Sequence, residues 1–162
     1  MPTRTISQYD INKALWGLCD VFRGTLAPSI YKDFILTMLF LKYISDEQQA
    51  HDEKLAPLHV DAPELIDMQI PHPRFVLPKG SSFWDLYAHR HEAGNGARID
   101  KALRTLEEAN ALKLKNVFQN IRFNSDKLGE EKQKDDVLRH LLEYFAQDKL
   151  SLRPSRIGSL DV

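Results

Sequence analysis

The chain has 162 residues, 43% of them hydrophobic and 28% charged, with a formal net charge of −1. That length suits one domain burying roughly 68–70% of its unfolded surface, and the charge lacks the basic excess of a dedicated nucleic-acid module. Cys19 is the single cysteine, which excludes an internal disulfide framework and fits a reducing cytoplasm; Met1-Pro2-Thr3-Arg4-Thr5-Ile6 lacks the apolar core of a secretory signal.

Ser7 and Asp10 have capping-box spacing, and Ile6 and Ile11 could form a hydrophobic staple, so a first helix is predicted to start here. Ile11, Leu15, Leu18, Cys19 and Phe22 recur at helical spacing. Gly24 is a natural stop and Pro28 suits the first turn of a second helix. That second helix carries Phe34 to Asp46, apolar at nine of thirteen positions. A helix apolar on most of its circumference must be wrapped by other elements. The run breaks at Lys42 and meets Ser45-Asp46-Glu47, too short for the roughly 20 apolar residues of a membrane span. The helix should continue to Lys54, and Pro57 should end it.

From Ala56 to Gly80, Pro57, Pro63, Pro71, Pro73 and Pro78 exclude long helices. A helical turn at 63–66 and an extended piece at 74–77 are compatible with this stretch, and Phe75, Val76 and Leu77 make it an ordered connector. Ser82 should cap a short helix carrying Trp84 and Tyr87, and Gly94-Asn95-Gly96 should break the chain again. Ile99, Leu103, Leu106 and Asn110 share one face of a helix expected from about Ala97 to Ala111. A linker with Phe118, Ile121 and Phe123 follows. A last helix is expected from about Lys134 to Asp148, with Leu138, Leu141, Leu142 and Phe145 inward. The expected fold is all-α: an irregular bundle around one central buried helix, with a Pro-rich connector.

Catalytic chemistry is hard to find. None of the eight prolines follows Asn or Asp, so the Asn/Asp-Pro-Pro-aromatic motif of an amino-group methyltransferase is missing. Gly94-Asn95-Gly96 is the only Gly-x-Gly, and Ile99 stands at the third glycine position of a dinucleotide loop. His89 and His91, two apart, diverge on a helix, and the six histidines with one cysteine show no zinc spacing. Glu107 and Glu108 are adjacent and do not face each other. No catalytic, cofactor-binding or metal-ligating residue is assigned. Two groups remain. Arg23, Tyr31, Lys42, Ser45 and Asp46 are polar positions among apolar helices; a buried structural ion pair competes there with an interface role. Lys113, Lys115, Arg122 and Lys127 are interleaved with Phe118 and Phe123 and could face DNA, or could be ordinary solvated surface.

Leu15-Trp16-Gly17-Leu18-Cys19-Asp20-Val21-Phe22-Arg23-Gly24, Tyr31-Lys32-Asp33-Phe34-Ile35-Leu36 and Phe40-Leu41-Lys42-Tyr43-Ile44-Ser45-Asp46 resemble the N-terminal domain of the modification subunit of type I restriction-modification systems. Phe83-Trp84, Leu106-Glu107-Glu108-Ala109-Asn110, Phe123-Asn124-Ser125-Asp126-Lys127-Leu128-Gly129 and Leu142-Glu143-Tyr144-Phe145 continue the likeness in order. Leu150-Ser151-Leu152-Arg153-Pro154-Ser155 resembles the approach to the family's catalytic domain. The resemblance implies an adenine-N6 DNA methyltransferase that uses S-adenosylmethionine in its catalytic domain, with no cofactor in this part. It also implies partnership with a specificity subunit, a second modification subunit, a motor-nuclease subunit and DNA, in the cytoplasm and without a membrane. Residues 1–152 would form the helical domain and 153–162 the start of a linker to a catalytic domain beyond this piece. The competing reading is a free-standing helical adaptor or transcription regulator. It lacks an exposed recognition helix, because the second helix of the best-formed pair is mostly apolar.

Overall fold

The computed structural model describes residues 7–22, 28–55, 75–119, 121–125, 128–147 and 152. Among them the chain forms six α-helices and no strand: α1 Gln8–Phe22, α2 Pro28–Leu55, α3 Phe83–Ala88, α4 Asn95–Ala109, α5 Ala111–Leu114 and α6 Glu131–Phe145. The all-α expectation holds. Gly24, Pro57 and residues 63–66 lie outside the described residues, as do the side chains of Ile6, Ile11, Cys19 and Phe22.

The predicted capping box opens α1. The Ser7 N–H donates to Asp10 Oδ2 at 3.0 Å, and the Asp10 N–H donates to Ser7 Oγ at 3.2 Å. These bonds satisfy donors that a helix start leaves unpaired. Leu18 and Ala14 face inward, while Tyr9 and Trp16 are exposed. The Tyr144 hydroxyl of α6 donates to the Ala14 carbonyl at 2.9 Å and ties the last helix to the first.

Helix α2 is the centre of the bundle, packed by α1 and α3. Phe34, Ile35, Met38, Leu41 and Ile44 are buried, and so are Thr37, Lys42, Ser45 and Asp46. The wrapping is incomplete. Leu39, Phe40 and Tyr43 are partly buried, and Leu36 is 47% exposed. Phe40 meets Phe75 edge-on with ring centroids 5.4 Å apart, and Phe34 meets Phe123 at 4.9 Å. Phe75 and Phe123 therefore supply part of the layer that covers this helix, beside α1 and α3.

The extended piece at 74–77 forms no strand where it is described, from Phe75 on. Its backbone is satisfied by a side chain instead. The Val76 N–H donates to Asn110 Oδ1 at 2.8 Å, and Asn110 Nδ2 donates back to the Val76 carbonyl at 2.7 Å. The amide thus does for one residue what a neighbouring strand would do. Ser82 caps α3 in a second capping box with Asp85.

Helix α4 begins at Asn95, earlier than the Ala97 start read from periodicity. The cause is tertiary. Asp135 of α6 accepts the N–H of Gly94 at 3.2 Å and of Asn95 at 3.0 Å, placing an anion at the helix N-terminus. Gly94 has φ 86°, a conformation that favours glycine. A Cβ on Gly96 would come within 2.8 Å of both Asn124 Cα and the Phe123 carbonyl oxygen, so the loop packs directly on the helix backbone. Helix α6 also starts before the expected Lys134, because its first turn is polar and carries no apolar period. Lys134 is 2% exposed, and its Nζ donates to Asn124 Oδ1 at 3.1 Å. Leu138, Leu141, Leu142 and Phe145 are buried as their spacing predicts.

Candidate functional site

Lys42 and Asp46 lie one turn apart on α2, and each is only 1% exposed. An i,i+4 spacing brings side chains together, and the Lys42 ammonium pairs with Asp46 Oδ2. The ammonium also sits 5.0 Å from the Trp84 ring centroid and 5.6 Å from that of Phe83, where aromatic faces attract a cation. Asp46 Oδ1 accepts Trp84 Nε1–H at 3.1 Å, and Oδ2 accepts the Leu152 N–H at 2.8 Å. Next to it, Ser45 Oγ accepts the Phe83 N–H at 2.8 Å and donates to the Leu41 carbonyl at 2.7 Å.

This cluster joins three separate parts of the chain. Phe83 and Trp84 at the start of α3 are clamped to α2, and Leu152 is fastened beside them. The Leu152 side chain is 1% exposed and packs against Leu15, Leu39 and Tyr43. Both Asp46 oxygens are engaged, which suits a structural clamp. Of the other polar positions singled out in the helices, Tyr31 is half-buried against the core and Arg23 lies outside the described residues. Sequence reading found Lys42, Ser45 and Asp46 but missed Trp84 and Leu152 as their partners. A separation of 38 residues to Trp84 and 106 to Leu152 leaves no local signal.

The basic segment divides. Lys113, Lys115 and Arg122 are exposed, and Lys127 lies outside the described residues. The Lys113 ammonium stands 5.4 Å from the Phe75 ring centroid. The interleaved aromatics are core residues: Phe118 is 7% exposed and Phe123 is 0% exposed. They are therefore not a platform on which bases could stack. Arg122 lines an open cleft of about 500 Å³, and Arg104 of α4 lines the same cleft. Sequence reading did not single out Arg104, since one arginine on a polar helix face carries no signal.

The Gly94-Asn95-Gly96 turn opens a helix and makes no cofactor loop. The N–H groups of Gly94 and Asn95 are taken by Asp135, and Gly96 is pressed against the 123–124 backbone. It does not fit S-adenosylmethionine. His89 is exposed, with Nδ1 3.1 Å from Glu92 Oε2. Among the described residues no group of three His, Cys, Asp or Glu side chains could hold a metal ion. No described helix is long and apolar enough to cross a membrane.

Among the described residues the chain is an all-helical bundle, clamped at its centre by a buried ion pair and carrying exposed cations at Lys113, Lys115 and Arg122. The model of the HsdM N-terminal domain family matches residues 11–145, and the chain belongs to that family. This makes it the N-terminal part of a type I restriction-modification methyltransferase subunit. Among curated proteins no match is found.

Proposed function

We propose that this domain assembles and clamps DNA for an adenine-N6 DNA methyltransferase. The observation that carries the reading is the family match over residues 11–145. On this reading the domain works beside a specificity subunit, a second modification subunit and a motor-nuclease subunit in the cytoplasm. The specificity subunit reads the bases while this domain supplies phosphate contacts, which position a protein on DNA without reading sequence. Methyl transfer from S-adenosylmethionine belongs to a catalytic domain outside this chain, in keeping with the missing Asn/Asp-Pro-Pro-aromatic motif. Residues 1–152 form the helical domain and 153–162 lead toward that catalytic part. The bond from the Leu152 N–H to Asp46 supports this division, because it fastens the chain to the core of the bundle just before that segment.

The test is charge reversal in the assembled methyltransferase. Lys113→Glu with Lys115→Glu should weaken DNA binding and reduce the slope of log affinity against log salt by up to about 1.8, the worth of two phosphate contacts. Assembly with the specificity subunit, followed by sedimentation, should be unchanged. Unchanged affinity and slope would overturn the phosphate-contact role of these lysines.

A further inference from the structure

Arg104 of α4 and Arg122 of the following loop both line one open cleft, which also holds Asp100, Glu107 and Gln119. On a helix, Arg104 has natural acidic partners at Asp100, one turn before it, and Glu107, one turn after. Neither forms an ion pair with it. Both oxygens of Asp100 are turned into the loop, accepting the Phe123 N–H at 2.7 Å and the Asn124 N–H at 3.0 Å. Glu107 Oε1 accepts the Asn116 N–H at 2.6 Å, holding Asn116 at φ 64°. The two carboxylates build the loop, and their charge is spread into backbone donors. Arg104 and Arg122 have no acidic partner among the described residues.

We infer that this cleft is a phosphodiester site, in which the Arg104 and Arg122 guanidiniums together hold a DNA backbone phosphate. The inference rests on the DNA-clamping reading and names the site that would serve it. A guanidinium fork matches the oxygens of a phosphate bidentately, and the volume of about 500 Å³ is that of a small-ligand site. The Gln119 amide adds a neutral hydrogen-bonding group to the cleft lining. The cleft's formal charges balance, two arginines against two carboxylates, so affinity should be low and visible at low ionic strength.

The experiment is a nuclear magnetic resonance titration of the ¹⁵N-labelled full chain, following the arginine Nε–Hε signals. One arm adds a short DNA duplex at low salt, and the other adds inorganic phosphate at the same total phosphate. The duplex should shift the Arg104 and Arg122 signals at concentrations where inorganic phosphate leaves them in place, and added salt should reverse the shift. Arg104→Gln with Arg122→Gln should raise the Kd for duplex by about tenfold or more and lower the salt slope by up to about 1.8. If the duplex shifts only signals elsewhere and the double variant binds as the parent does, the cleft assignment fails while DNA clamping stands. A duplex that shifts nothing at low salt overturns both. Equal response to inorganic phosphate overturns the DNA assignment in favour of a simple anion site. The parent titration decides these outcomes even if the double variant fails to fold.

Discussion

Removing the two members of the buried ion pair should have unequal effects, because Asp46 accepts from Trp84 and Leu152 as well as from Lys42. Asp46→Ala takes the paired carboxylate from the Lys42 ammonium, which is 1% exposed, and removes the acceptor for Trp84 Nε1–H and the Leu152 N–H. Breaking a buried pair costs about 3–5 kcal/mol, and each donor left unsatisfied adds about 1–3 kcal/mol. Such costs overlap, since water or a shifted side chain relieves part of each. The expected loss is therefore about 5–7 kcal/mol, a large share of the roughly 5–15 kcal/mol that holds a domain folded. Lys42→Met preserves the length of the side chain and leaves Asp46 its two N–H donors, so it should cost less, about 3 kcal/mol, the low end for a broken buried pair. In the double variant the buried ammonium is gone as well, and the loss should fall well short of the sum of the single losses. Urea unfolding followed by tryptophan fluorescence reports all three variants, since Trp84 bonds Asp46 directly. A loss below about 1 kcal/mol for Asp46→Ala, or a greater loss for Lys42→Met, would refute the clamp.

Around α2, Met38→Ala or Leu41→Ala should destabilise by about 2–5 kcal/mol, while Leu36→Ala, at a position 47% exposed, should cost under about 1 kcal/mol; equal losses in denaturant unfolding would contradict the burial pattern. Gly96→Ala should lose about 1–3 kcal/mol from overpacking against Asn124 and Phe123. Helix propensity alone predicts a gain of about 1 kcal/mol, so a raised Tm would show that the loop yields. Asn110→Ala should cost about 1–2 kcal/mol by removing both bonds to the Val76 backbone, where water can replace part of each because Val76 is exposed, and faster amide exchange at Val76 is the specific readout.

Local patterning was enough for most of the helices. The Ser7–Asp10 and Ser82–Asp85 boxes need only residues three apart, and the inward faces of α4 and α6 need only helical period. Both therefore stand in the chain as written. The starts of α4 and α6 were misplaced because other determinants set them. Asp135 reaches Gly94 and Asn95 from 40 residues away, and the polar first turn of α6 shows no apolar rhythm. The sequence by itself singled out Lys42, Ser45 and Asp46 as polar positions in an apolar run but left the partner of Lys42 open; the structure pairs it with Asp46. What Asp46 grips beyond Lys42 was decided only by the tertiary structure. Trp84 and Leu152 reach it across chain separations that no periodicity spans, and the solvation lost on burial makes that arrangement favourable only when every partner has arrived. The same holds for Arg104 and Arg122. They line one cleft without an acidic partner because loop amides, rather than the arginines, take both oxygens of Asp100 and Oε1 of Glu107.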